Sequence, residues 1–216
     1  MELEKMSDFF AARADGYDEH MLYDVEGCKE GYVKMAELLP QDAVQLLDLG
    51  CGTGLELDEI FKNKPSINVT GIDLTQAMLD KLKQKHPDKN ISLVNANYFD
   101  YDFGTNKYDV AVSFQTMHHF SHKDKIKLYS KVFAALKEGG QYIECDYMVI
   151  RQEDEDFYYS ENKRIRKEQG IPDKEFYHYD TPCTIDNQIK MLSKVGFRIV
   201  KMNWRVENTT IIVAQK

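Results

Sequence analysis

Glycine at every second position from Gly50 through Gly52 to Gly54 ends the apolar run Leu46-Leu47-Asp48-Leu49 and opens a segment, Leu55-Glu56-Leu57-Asp58-Glu59-Ile60-Phe61, whose apolar residues fall at helical spacing. A buried strand, a turn built from residues without a Cβ, and a helix therefore follow one another directly, the opening of a strand–helix–strand unit. Asp73 stands 19 positions after Gly54, at the end of a second apolar stretch, Val69-Thr70-Gly71-Ile72. The turn presents bare N–H groups at a helix N-terminus, which favours a carboxylate or phosphate. An acid at the tip of the next parallel strand can accept from both hydroxyls of a ribose. The two motifs together spell half of a nucleoside site.

The glycine spacing separates two ligand classes. A dinucleotide turn reads G-x-G-x-x-G, whereas this chain reads Asp48-x-Gly50-x-Gly52-x-Gly54. That form resembles the first motif of the class I S-adenosylmethionine (SAM) dependent methyltransferases, and the likeness continues along most of the chain. The resemblance implies SAM as cofactor and S-adenosylhomocysteine as product. It assigns Asp48, Gly50, Cys51 and Gly52 to the methionine portion, Asp73 to the ribose, and Leu74 to one side of the adenine. Met78 follows on the same helix, at a spacing that also suits core packing. Leu93-Val94-Asn95-Ala96-Asn97-Tyr98-Phe99 aligns with the third motif, with Asn97 in place of the usual acid and Tyr98 beside it. An amide oxygen still accepts a hydrogen bond, without charge assistance.

Lys107 to Phe120 resembles the fourth motif, a buried strand ending at Gln115. His118 and His119 follow it and are the acid–base candidates, since unperturbed imidazole titrates near neutrality; packing in the structure is the alternative role for either. Leu136-Lys137-Glu138-Gly139-Gly140 resembles the turn before the fifth strand, with Glu138 where proline is usual.

The rest of the pattern predicts an α/β fold. Val44–Leu49, Val69–Asp73, Ile91–Asn95, Tyr108–Phe114 and Gln141–Asp146 read as central strands. Between them, Ala77, Met78, Leu79 and Leu82 mark a helix behind Thr75 as N-cap. Ile126, Tyr129, Phe133 and Leu136 mark another, behind the capping box Ser121-His122-Lys123-Asp124. Tyr32, Met35, Ala36 and Leu39 share a helix face before Pro40. Such alternation means a mostly parallel sheet with helices on both faces. A helix from Ile185, stopped by Gly196, leads to a hairpin, Phe197–Arg205 and Thr209–Ala214 around Glu207-Asn208. The resemblance makes this a Rossmann-like, seven-stranded sheet with one antiparallel C-terminal strand.

At 216 residues one domain is expected. Its parts are an N-terminal lid and helix (1–40), a SAM-binding core (41–150), a helical and aromatic lid insertion (151–183), and a C-terminal helix and hairpin (184–216). Phe9 to Tyr17 and Tyr158 to Tyr179 are expected to meet over the carboxyl ends of the strands, with Tyr17, His119 and Tyr177 facing the transferable methyl. The aromatics of 157–179 fit an acceptor pocket or the core of a helical cap equally well. Lys163 to Lys167 reads as a solvated helix face.

The charge, 28 basic against 36 acidic residues and −8 net, argues against non-specific gripping of nucleic acid and leaves room only for a local basic patch. Four scattered cysteines offer no C-x-x-C pair and no metal-binding spacing, so no metal is expected and the thiols are read as reduced. No apolar run reaches the ~20 residues of a membrane span, and the charged N-terminus is no signal peptide. A cytoplasmic monomer or homodimer is the expectation. Function reads as methyl transfer to a small-molecule acceptor. Two rivals share the cofactor motifs: a tRNA-modifying or carboxy-SAM-forming enzyme, and a non-catalytic SAM-binding protein. A carboxylated cofactor calls for a nearby arginine, and none lies between Arg13 and Arg151.

Overall fold

The computed structural model describes residues 2–216. The chain begins with three helices, α1 (Met6–Arg13), α2 (Tyr17–Tyr23) and α3 (Cys28–Leu38), then alternates β1 (Gln45–Leu49), α4 (Leu55–Asn63), β2 (Asn68–Asp73), α5 (Gln76–Lys85), β3 (Ile91–Asn95) and β4 (Tyr108–Phe114). A single 3-10 turn, Met117–His119, precedes α6 (His122–Ala135) and β5 (Leu136–Val149). An inserted helix, α7 (Gln152–Glu168), a short strand, β6 (Cys183–Thr184), α8 (Ile185–Val195), β7 (Ile199–Val206) and β8 (Thr209–Gln215) complete it.

The strands lie in the order β3-β2-β1-β4-β5-β8-β7, all parallel except β8, which runs against both neighbours. Layers of helices explain why β1 is buried on both faces. Leu46 enters one apolar cluster with Tyr32, Ile60 and Phe114, whereas Leu47 and Leu49 enter the other with Tyr129 and Tyr142. That alternation is the period of two of a strand. The order reverses between β1 and β4, so the crevice opens at their carboxyl ends, beside the glycine turn.

Local signals account for most boundaries. Ser121 caps α6 by accepting from the Asp124 amide at 3.2 Å, and Gly196 ends α8 at φ 125°. Three expectations are corrected. Thr75 precedes α5 but makes no side-chain cap; its amide donates to Asp73 Oδ1. Leu136 leaves the helix and starts β5, pairing with Tyr108 before a register shift brings Gln141 opposite Val110. The sheet also gains β6, which lies parallel to the end of β5.

The N-terminal segment is laced to the segment after α7. Lys5 bridges Tyr177 in antiparallel fashion, the Met6 amide donates to the Phe176 carbonyl at 3.1 Å, and the His178 amide donates to the Glu4 carbonyl at 3.0 Å.

Candidate functional site

The glycine turn holds Gly50 and Gly52 at φ 70° and 46°, conformations that favour residues without a Cβ. A Cβ on Gly50 would stand 2.8 Å from Thr116 Oγ1, so the backbone there is approached too closely for any side chain. Asp73 closes the other side of the crevice. Its Oδ2 accepts from the Gly52 amide at 2.9 Å and its Oδ1 from the Thr75 amide at 2.7 Å. Burial pushes its pKa up to about 6, although these amides oppose the rise. The carboxylate is thus fixed in orientation before any ligand arrives.

A narrow cleft beside it is lined by Gly50, Asp73, Leu74, Asn97, Tyr98 and Phe176. Its chemistry fits a nucleoside: a carboxylate, apolar walls and an amide edge. Asn97 Oδ1 accepts from the Phe99 amide at 2.9 Å, an Asx turn, which leaves its NH2 as the free edge. An aspartate in its place would keep the turn with one oxygen and offer the second to an exocyclic amine as a charge-assisted acceptor. Asn97→Asp is therefore expected to retain or tighten SAM binding, as read by calorimetry; a tenfold loss would remove Asn97 from the base edge.

Asp48, at the end of β1, and Glu56, on α4, are both buried. Neither Asp48 oxygen nor Glu56 Oε1 has a hydrogen-bond donor, and among the described residues no ion pair reaches either acid. Burial pushes Asp48 up to about 7 and Glu56 well above the usual carboxylate range. The two acids lie together behind the glycine turn, where burial favours their neutral forms, and a positive charge brought beside them would favour ionisation. Cys51 and Met78 are also buried, but they line neither cavity.

A larger cavity, about 890 Å³, opens on the other side of the turn. Tyr17, Gln115, His118, His119, His178 and Asp180 are among the residues that line it. The Tyr17 ring packs over Gly52, between this cavity and the glycine turn. Burial, together with the nearby Glu56 and Asp73, pushes its phenol far above the usual range and keeps it protonated. Gln115 sits at φ 49° and directs Nε2 to Thr209 Oγ1 at 3.4 Å. Tyr177 lines neither cavity; its neighbour His178 takes the place expected of it, stacked on Phe9 with ring centroids 3.5 Å apart.

The histidines differ sharply. His118 Nδ1 lies 2.6 Å from Asp146 Oδ1, and its Nε2 lies 3.4 Å from Asp180 Oδ1. Burial works against its charged form, but the two carboxylates outweigh burial and push its pKa up to about 10. His119 is driven well below the usual imidazole range by burial and by its charged neighbour His118. Its Nδ1 has no hydrogen-bond partner and lies 3.5 Å from Asp180 Oδ1. Asp146 and Asp180 escaped the sequence reading, because they stand 28 and 62 positions from His118 and only β5 and the segment after α7 bring them together. Arg13 also lines the large cavity, but its guanidinium pairs with Glu4 at 2.9 and 3.3 Å and lies over the Phe9 ring.

Known proteins share this fold. Residues 46–140 match a family model described as a methyltransferase domain. The chain is 25% identical to a carboxy-S-adenosyl-L-methionine synthase of Nautilia profundicola, over 99% of this chain and 96% of that one. It is 26% identical to a phosphoethanolamine N-methyltransferase of Plasmodium falciparum, over 67% of this chain and 54% of that one. Among solved structures, the crystal structure of a putative O-methyltransferase from Nostoc punctiforme superposes with a TM-score of 0.73 at 18% identity, covering 99% of this chain and 62% of that one. Among the described residues no helix is long and apolar enough to cross a membrane.

Proposed function

We propose that this chain is a class I SAM-dependent methyltransferase that transfers the methyl group to a small-molecule acceptor bound in the 890 Å³ cavity. When bound, SAM supplies a methyl already activated on a sulfonium, so the protein's share of the work is to hold nucleophile, carbon and sulfur in line. In this reading Asp73 and Leu74 hold the nucleoside in the narrow cleft, with Asn97 and Tyr98 along its other wall. The turn at Gly50, Cys51 and Gly52, with Asp48 behind it, supports the methionine portion. Met78 supports the floor from the core. Gln115 and Tyr17 line the cavity, and Phe10 lines both cavity and cleft. The observation that carries the proposal is this juxtaposition: a roomy cavity with polar side chains opens beside a fixed glycine turn.

His119 is the group available to the acceptor, since its Nδ1 is unpartnered, while His118 is held between two carboxylates and positions it. Residues 1–40 and 151–183 form the cover that excludes water from the reaction. The test is paired. His119→Ala and Tyr17→Phe are expected to lower single-turnover methyl transfer at least about tenfold with SAM affinity unchanged. Loss of SAM binding in step with turnover would make both residues cofactor contacts instead.

One finding favours a second reading, carboxy-SAM formation: two relatives of that name match along almost the whole chain. Against it, Arg13, the arginine that lines the cavity, is committed to Glu4. Mass spectrometry of the nucleoside product separates the two, S-adenosylhomocysteine for methyl transfer and a carboxylated SAM for the alternative.

A further inference from the structure

Three imidazoles converge on one oxygen. Asp180 Oδ1 lies 3.4 Å from His118 Nε2, 3.5 Å from His119 Nδ1 and 3.7 Å from His178 Nε2. These separations are too long for good hydrogen bonds. They are close to the edge of a coordination tetrahedron, about 3.3 Å for ligands 2.0–2.1 Å from a zinc-like ion. Two of the converging atoms are orphans: His119 Nδ1 and Asp180 Oδ1 are buried without a hydrogen-bond partner. The His119 side chain is only 3% exposed, so water does not relieve the deficit.

The support of His118 fits the same picture. Its Nδ1 is held by Asp146 at 2.6 Å, which directs Nε2 at the cluster, the carboxylate–histidine arrangement that orients metal-binding imidazoles. The 3-10 turn at Met117–His119 lets two adjacent side chains point at one spot, their ring centroids 4.0 Å apart. Among the described residues, neither lysine nor arginine pairs with Asp180.

A second convergent group, His122, Glu155 and Cys183, has its cation already, since Lys125 Nζ lies 3.1 Å from Cys183 Sγ.

We infer that His118 Nε2, His119 Nδ1 and Asp180 Oδ1 form a three-ligand binding site for a divalent first-row transition metal, with the remaining position open to the cavity. A nitrogen-rich donor set with one carboxylate suits zinc, cobalt or iron(II) rather than magnesium or calcium. The site faces the large cavity, so an open position on the ion is presented to whatever binds there. This rests on the proposed function and changes one role in it: with the ion bound, His119 Nδ1 is a ligand and not the base, and the ion would polarise an acceptor oxygen or sulfur as a Lewis acid and lower the cost of its losing a proton.

The test uses the full chain and the metal alone, with neither SAM nor acceptor present. Chelator-treated protein titrated with Zn2+ in a calorimeter is expected to bind one equivalent, and Co2+ is expected to give the visible absorption of a low-coordinate site. Asp180→Asn and His119→Gln are each expected to weaken Zn2+ at least tenfold, and Asp146→Asn to do so ten- to a hundredfold through His118. SAM binding, measured in parallel, reports that each variant is folded. Absence of Zn2+ binding by the wild-type chain overturns the site. So does binding that survives both Asp180→Asn and His119→Gln but is lost in His122→Gln, which moves the ion to the other cluster. Zinc bound without any methyl transfer leaves the site standing and removes the functional reading; methyl transfer without zinc binding does the reverse.

Discussion

Asp73→Ala is expected to weaken SAM binding by about 1.5–3 kcal/mol, roughly ten- to a hundredfold, with the fold intact. The carboxylate ends β2 at the crevice and is already held by two backbone amides, so a ribose diol meets an acceptor that needs no ordering. Alanine removes both oxygens and leaves the Gly52 and Thr75 amides facing water or the ligand. The same carboxylate sets a pH window. Burial raises its pKa to about 6, so SAM affinity falls as pH is lowered through about 6, where the charged acceptor becomes a neutral acid. The free protein does not lose stability from this group in that range. An acid whose folded pKa lies above its unfolded value takes up its proton more readily when folded, so it favours folding as pH falls from about 6 toward about 4. Calorimetry across this range, with circular dichroism alongside, checks both signs. Equal affinity at pH 5 and pH 7.5 would remove Asp73 from the ribose.

Gly54→Ala is expected to destabilise the protein by about 2–5 kcal/mol, lowering Tm by roughly 5–15 °C for a chain of this size. Two separate costs add. Gly54 sits at φ 78°, where a residue with a Cβ pays about 1–2 kcal/mol. Its Cβ would also stand 2.2 Å from Leu82 Cδ1 on α5, a side chain with no exposed surface into which to move, and overpacking costs about 1–3 kcal/mol. A double variant distinguishes the terms. With Leu82→Ala already in place the clash is gone, and the added cost of Gly54→Ala should shrink to the backbone share, about 1–2 kcal/mol. Thermal unfolding of the four proteins measures it, and an unshrunken cost would mean that packing against α5 is not what requires glycine here.

The scaffold was legible from local pattern because local physics dictates it. Alternate glycines after an apolar run, the Ser121 box and Gly196 each act within a few residues, and each appears where the pattern put it. The seven-stranded order and its one reversed strand came with the family resemblance. Parts of the acceptor side were not legible. Asp146 lies on β5 and Asp180 after α7, and neither is marked by spacing relative to His118. Their convergence is a property of the fold alone. Arg13 shows the same limit from the other direction. Counting arginines along the chain gave no guide to the cavity, because α1 folds back over it and then spends the guanidinium on Glu4. Leu136 shows how a helix face can mislead: its apolar spacing suited α6, but pairing with Tyr108 in the sheet outweighed one more helical turn.

The backbone bonds between residues 4–6 and 176–178 have a kinetic meaning. Phe9 and Phe10 on one side, and His178 on the other, are walls of the same cavity. Neither wall moves without breaking the Met6–Phe176 and Glu4–His178 hydrogen bonds. The amides of Met6 and His178 then exchange with solvent as a pair, governed by one local opening free energy well below that of global unfolding. Parting of these two walls and exposure of the two amides are the same event, which hydrogen exchange reads in the resting protein; if the acceptor enters by this route as proposed, amide exchange and turnover are expected to respond together to the same variants.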